Sequence, residues 1–192
     1  MRVIAGKARR LPLVTAAGEN TRPTTDRIKE TLFNILQNDL FEIRFLDLFA
    51  GSGGIGIEAL SRGAAYACFV ENNRAAVDCI RKNLSVTRLE DSAEVLFCDV
   101  LTGLARLAGS APFQIVFMDP PYGKGLEERA LAYIAEQKPS YISEETTFIV
   151  EMALHASVSP LTALGYEAFR IKEYKTNKHV FLTLKPPEGE LL

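Results

Sequence analysis

The sequence holds few of the residues that build disulfide, zinc or membrane structures. It has three cysteines with no Cys-x-x-Cys spacing, and only two histidines. This usage predicts reduced thiols and argues against a disulfide framework or a histidine-rich metal site. No apolar run approaches the roughly 18 residues that a membrane-spanning helix needs, and the first ten residues lack the apolar core of a signal peptide. We therefore expect a cytoplasmic protein without a bound metal or a membrane anchor.

Charge is separated along the chain, although the formal net charge of the 192 residues is only −2. Residues 1–29 have a balance of +5 and residues 170–185 a balance of +4, which leaves −11 for the remainder. Such runs are often no more than solvated faces. Two basic ends on an acidic body nevertheless favour a protein that binds a polyanion at its edge and a cation at its centre.

A short apolar run followed by an acidic residue recurs four times between residues 44 and 119. The acids, each of which we expect to end a strand, are Asp47, Glu71, Asp99 and Asp119. The runs are rich in Val, Ile and Phe, as buried parallel strands are. The segments between them have helical patterning, which predicts repeated βαβ units in an open, doubly wound sheet.

Three later apolar runs predict further strands, at Thr147–Met152, Ala168–Tyr174 and His179–Leu184. Only four residues join the last two, so these strands should form an antiparallel hairpin. The predicted fold class is therefore α/β, with a mostly parallel sheet of seven strands closed by that hairpin. The predicted organisation is a basic hairpin-plus-helix extension over residues 1–40, an α/β domain over 41–185 and a tail over 186–192.

A glycine-rich loop follows the first predicted strand. Residues 51–56, Gly-Ser-Gly-Gly-Ile-Gly, fit the G-x-G-x-x-G pattern of a strand-to-helix turn that lets a ligand approach the backbone. The loop is not a P-loop, because Ile57-Glu58 stands where Lys-Ser/Thr is required. The pattern alone does not distinguish a dinucleotide from another adenosine cofactor.

The acids around this loop favour a cationic cofactor over a pyrophosphate. Carboxyl ends of parallel strands meet at one edge of a sheet, where ligands bind. Asp47 would repel a phosphate and attract a sulfonium, and Glu71 is able to accept hydrogen bonds from both hydroxyls of a ribose. Asp99 is placed to accept from the exocyclic amine of adenine. S-adenosylmethionine satisfies all three.

The segment Asp119-Pro120-Pro121-Tyr122 follows the fourth predicted strand. Prolines lack an N–H group, so the turn presents acceptors and holds its first residues extended. The Asp119 carboxylate and the Pro120 carbonyl can accept hydrogen bonds from the two N–H groups of a planar amine. These bonds draw the nitrogen lone pair out of conjugation with the ring, so that it can attack a methyl group. Tyr122 offers a face for stacking on the base, for which its ring and not its hydroxyl is expected to matter. The structural alternative is a rigid Pro-Pro turn with a buried tyrosine.

These motifs resemble those of S-adenosylmethionine-dependent amino-methyltransferases. The segments Val3–Leu11, Arg22–Arg27 and Glu30–Asn34 are similar to one branch, the bacterial 16S ribosomal RNA guanine-N2-methyltransferases that modify guanine(966). The resemblance runs from Arg2 to about Leu184. It implies a Rossmann-like methyltransferase fold and, as substrate, 16S ribosomal RNA, free or within the small ribosomal subunit.

The resemblance also implies roles for individual residues. Asp119 and the Pro120 carbonyl hold the guanine amine, and Tyr122 stacks on the ring. The implied cofactor-binding residues are Asp47, Gly51, Gly53, Glu71 and Asp99, with Thr24 near the methionine end.

The residues expected from charge to contact RNA phosphates are Arg9, Arg10 and Arg22. His155 and His179 are interpreted as structural or surface residues.

Three other functions compete with this interpretation. A DNA adenine-N6 methyltransferase uses the same kind of turn, but it usually needs a separate target-recognition region, and only 73 residues follow Asp119. An NAD-dependent oxidoreductase is favoured by the glycine pattern alone. A catalytically silent RNA-binding protein would have no need of the intact Asp119–Tyr122 turn.

Overall fold

The structure is a computed structural model that describes residues 1–16 and 26–185. Within those ranges the α-helices are α1 (Asp26–Ile35), α2 (Gly54–Ser61), α3 (Arg74–Thr87), α4 (Val100–Arg106), α5 (Leu126–Gln137) and α6 (Ser159–Ala163). The strands are β1 (Arg44–Leu48), β2 (Tyr66–Glu71), β3 (Ala93–Phe97), β4 (Ile115–Met118), β5 (Thr147–Ala153), β6 (Tyr166–Glu173) and β7 (Asn177–Leu184). The predicted tail lies outside the described residues.

The seven strands belong to one sheet in the order β3-β2-β1-β4-β5-β7-β6. Strand β2 is parallel to β1 and β3, and β4 is parallel to β5. Strand β7 is antiparallel to β5 and β6. The predicted α/β fold with a mostly parallel sheet and a closing antiparallel hairpin is confirmed.

The chain divides into two compact units, Met1–Arg106 and a second that begins at Leu107. The predicted boundary near residue 40 stays a prediction. No helix among the described residues is long and apolar enough to cross a bilayer.

In the first unit, helix α2 is buried on every side, which explains why its residues are almost all apolar. It packs closely on the strands because Gly56 has no side chain. A Cβ at that position would lie 2.4 Å from the Phe69 ring and 3.2 Å from the Asp47 carboxylate. This glycine is therefore required by packing, whatever it does for a ligand.

The N-terminal segment forms a small hairpin-like loop, as predicted, although it contains no regular strand. A single antiparallel bridge joins Arg2 to Pro12, and the Val3 N–H donates to the Leu11 carbonyl at 3.0 Å. The loop lies against the end of α2, where the Ser61 carbonyl accepts from the Lys7 N–H at 2.8 Å.

In the second unit, β4 is buried along its whole length and β5 along most of it. Strand β7 pairs with the edge of β5 opposite β4, and β6 forms the exposed edge of the sheet. The continuous apolar runs in β4 and β5 match strands that are covered on both faces.

Candidate cofactor and amine sites

The loop between β1 and α2 combines an unusual backbone with open space. Gly51 and Gly53 have φ angles of 54° and 79°, in the left-handed region that glycine adopts without strain. A side chain at Gly51 would meet no described atom within 4 Å, whereas one at Gly53 would meet Ile57 and Ile80. Gly53 is therefore constrained by packing as well as by its backbone, and the space beside Gly51 is available to a ligand.

Asp47 is a buried residue of β1, with 2% of its surface exposed. The prediction that it ends the strand is wrong by one position, because the strand continues to Leu48. Its Oδ2 accepts from the Gly56 N–H at 2.9 Å and so fixes the start of α2. Burial raises the pKa of Asp47 to about 7, the Gly56 bond acts in the opposite direction, and the charge of Glu71 adds to the rise.

Glu71 ends β2 as predicted and is partly buried. Its Oε2 accepts from the Gly51 N–H and its Oε1 from the Asn73 N–H, both at 2.8 Å. The carboxylate therefore ties the glycine loop to the loop after β2. Each oxygen of a carboxylate has two lone pairs, so both can still accept a hydroxyl hydrogen bond.

Asp99 does not end β3 as predicted, because it follows the strand by two residues, and it is exposed. Its two oxygens accept from the N–H and the hydroxyl of Thr102, at 3.0 and 2.6 Å. These bonds lower the pKa of Asp99 and cap the start of α4. The adenine contact stays a prediction, and Thr24 lies outside the described residues.

The tyrosine of the turn after β4 is exposed to solvent. Asp119 follows the strand directly and is partly buried, and Pro120 is buried. Tyr122 is 44% exposed, so the alternative of a buried tyrosine does not describe this turn. The chain therefore offers an aromatic face beside a carboxylate and a proline carbonyl.

Sequence reasoning missed a buried carboxylate that contacts this tyrosine. Glu151, in β5, accepts from the Tyr122 hydroxyl at 3.0 Å, from Asn177 Nδ2 at 2.7 Å and from His179 Nε2 at 3.0 Å. The available signal was an acidic residue inside the apolar run of β5. His179, interpreted as structural or surface, is fully buried, whereas His155 is exposed.

Two of the three arginines predicted to contact RNA lie within the described residues. Arg9 and Arg10 are exposed on the N-terminal loop, and no acidic group of the described residues is ion-paired with either. Arg22 lies outside the described residues. Arg9 and Arg10 are therefore accessible for binding a polyanion.

Comparison with known proteins gives matches along almost the whole chain. The family model described as conserved hypothetical protein 95 matches residues 1–183. YlbH of Bacillus subtilis (strain 168) is 40% identical over 175 residues, covering 88% of this chain and 94% of that protein. Ribosomal RNA small subunit methyltransferase D of Escherichia coli (strain K12) is 38% identical over 153 residues, covering 79% of this chain and 74% of that protein. The solved structure of yhhF from Escherichia coli has a TM-score of 0.82 at 32% identity and covers 96% of this chain and 98% of its own.

Proposed function

Because the chain belongs to the family of conserved hypothetical protein 95, we propose that it methylates the exocyclic N2 amine of a guanine in 16S ribosomal RNA. The family resemblance seen in the motifs is confirmed by this membership. Methylation of small-subunit ribosomal RNA is the activity named for a relative that is 38% identical. The choice of guanine, of its N2 atom and of position 966 goes beyond the activity named for that relative and is part of the proposal.

The observation that carries the proposal is the turn after β4. Asp119 and the Pro120 carbonyl are two acceptors, matching the two N–H groups of an amine on a flat ring. Tyr122, 44% exposed, offers a face for that ring. No nucleophilic side chain is needed, because the amine is itself the nucleophile. The residues act by holding and orienting it, which supplies much of the rate.

The first unit fits a cofactor that carries a ribose and a positive charge. Glu71 has lone pairs left for ribose hydroxyls, and its bond to the Gly51 N–H places it beside the open part of the loop. The Asp47 carboxylate would be stabilised in its charged form by a cation and would repel a pyrophosphate. S-adenosylmethionine fits these carboxylates and, when bound, supplies an electrophilic methyl group. The residues proposed to hold it are Asp47, Gly51, Gly53, Glu71 and Asp99, with Thr24.

The test is transfer of tritiated methyl groups to small ribosomal subunits isolated from cells that lack the modification, followed by mapping of the labelled base. We expect label on the N2 atom of guanine(966). A parallel arm with deproteinised 16S RNA tells free RNA from the assembled subunit, and the Asp119→Ala variant controls for contaminating activity. Label on an adenine, or transfer to DNA instead, would reject the proposal in favour of an adenine-N6 methyltransferase. Titration with NADH and with S-adenosylmethionine tests the oxidoreductase alternative directly.

A further inference from the structure

A cluster of polar side chains around Glu151 in the second unit connects Tyr122 to residues that have no assigned part in the reaction. We define it as Glu151, Tyr122, Asn177, His179 and Tyr174. Glu151 is 7% exposed, and its two oxygens accept three hydrogen bonds. A carboxylate buried to this degree is costly unless it is hydrogen-bonded, and these three donors compensate that cost.

The sheet fixes the position of the carboxylate. Glu151 lies directly opposite His179 in the antiparallel pairing of β5 and β7, so the two side chains share one face of the sheet. A carboxylate only accepts, so His179 donates from Nε2. The Tyr174 hydroxyl lies 3.1 Å from the other ring nitrogen of His179. Burial raises the pKa of Tyr174 to about 12, with a contribution from Glu151, so this hydroxyl keeps its proton.

Tyr122 differs from the other donors because it lies on the exposed turn after β4. The residue is 44% exposed, and a tyrosine in such a position loses rotamer freedom only where a contact holds it. The 3.0 Å hydrogen bond from its hydroxyl to Glu151 ties the ring to the rigid sheet. The remaining donors hold Glu151 whether or not Tyr122 is engaged.

We propose that Glu151 is a positioning residue that orients the Tyr122 ring for the target base. The inference rests on the proposed function, because stacking on the guanine is assigned to Tyr122 there. It also changes an expectation from the sequence. Loss of the Tyr122 hydroxyl should matter, since that group sets the angle at which the ring meets the base.

The test compares Tyr122→Phe, Glu151→Gln and the double variant in methylation of small subunits. We expect each single variant to lower kcat about tenfold, the effect of losing one hydrogen bond to a charged group. The double variant should be no slower than the slower single variant, because both changes act on the same hydrogen bond: Tyr122→Phe removes its donor, and Glu151→Gln removes the charge of its acceptor. The affinity for S-adenosylmethionine should not change. Tyr133→Phe, which removes a hydroxyl on α5 outside the cluster, is the matched control and should have normal kcat.

A readout independent of activity comes from the two histidines of the chain. The imidazole proton and nitrogen resonances of His179 should persist in Tyr122→Phe and shift in Glu151→Gln, while those of exposed His155 stay constant in both. Normal kcat in Tyr122→Phe, additive losses in the double variant, or an unshifted His179 in Glu151→Gln would each overturn the inference. An inactive wild-type protein would instead overturn the proposed function, and this inference with it.

Discussion

Replacing Glu58 by alanine should loosen the N-terminal loop where it contacts α2. Glu58 lies in α2 with none of its surface exposed. Its Oε2 accepts from the Ile4 N–H at 2.8 Å and lies 3.2 Å from Lys29 Nζ. Its Oε1 accepts from the Ala5 N–H at 3.0 Å and from Arg62 Nε at 2.8 Å. One carboxylate thus joins the N-terminal loop, α1 and α2.

The expected cost follows from the partner that stays behind. Lys29 is 1% exposed, and burial lowers its pKa while Glu58 opposes that fall. Breaking a buried ion pair by removing one partner costs about 3–5 kcal/mol. The two backbone N–H groups lose bonds to a charged acceptor, but they can bond to water once this part of the loop is loosened, so their cost is not simply added. We therefore expect a loss of about 3–5 kcal/mol, a large fraction of the usual 5–15 kcal/mol.

Urea denaturation of wild type and Glu58→Ala measures this loss, and hydrogen exchange at the Ile4 and Ala5 amides locates it. Glu30→Ala, which removes an exposed acid of α1, is the matched control and should leave stability almost unchanged. Adding Lys29→Met to Glu58→Ala should recover part of the loss, since it removes the stranded charge. A loss below about 1 kcal/mol, or no recovery in the double variant, would refute the argument that the buried pair is the main cost.

Four further predictions concern the two sites and the basic loop. Glu71→Ala should weaken S-adenosylmethionine binding roughly ten- to hundredfold by loss of charged hydrogen bonds, measured by calorimetry on the folded variant; unchanged affinity would remove Glu71 from the site. Asp119→Ala should bind the cofactor nearly normally and transfer methyl groups at least ~100-fold more slowly in single-turnover assays. Asp47 binds more protons in the folded protein, because its pKa is raised from 3.8 to about 7. Its contribution to stability should therefore fall as pH rises through that range, and urea titrations of Asp47→Asn should lack this fall. Arg9→Ala combined with Arg10→Ala should bind RNA more weakly, with a salt slope smaller by about 0.7–0.9 per lost contact and unchanged cofactor affinity.

The sheet was largely predictable because its strands are read from local patterns. Ile115–Met118 is buried along its whole length, and such strands form continuous apolar runs. The direction of the last pair followed from loop length alone, since a connection of four residues cannot return the chain to a parallel start. Both features depend on neighbours along the sequence.

The buried carboxylates were not predictable, because their partners are distant in sequence. Glu58 is bonded to Ile4 and Ala5, more than 50 positions away, and Glu151 to Tyr122, 29 positions away. In the sequence each appears as one acid within an apolar stretch. Only the fold shows that these positions gather enough donors to compensate the burial of a charge.

The acids of the first unit show why spacing located a candidate site without assigning its roles. Asp47 bonds to the Gly56 N–H and Asp99 to Thr102, so both have a structural role that explains their positions. Such bonds do not compete with ligand binding, because they fix a carboxylate whose remaining lone pairs can accept. Glu71 also makes structural bonds, to the Gly51 and Asn73 N–H groups, but it is partly exposed where the loop leaves open space. It follows that Glu71, more than the buried Asp47 or the helix-capping Asp99, is the residue whose substitution tests cofactor binding most directly.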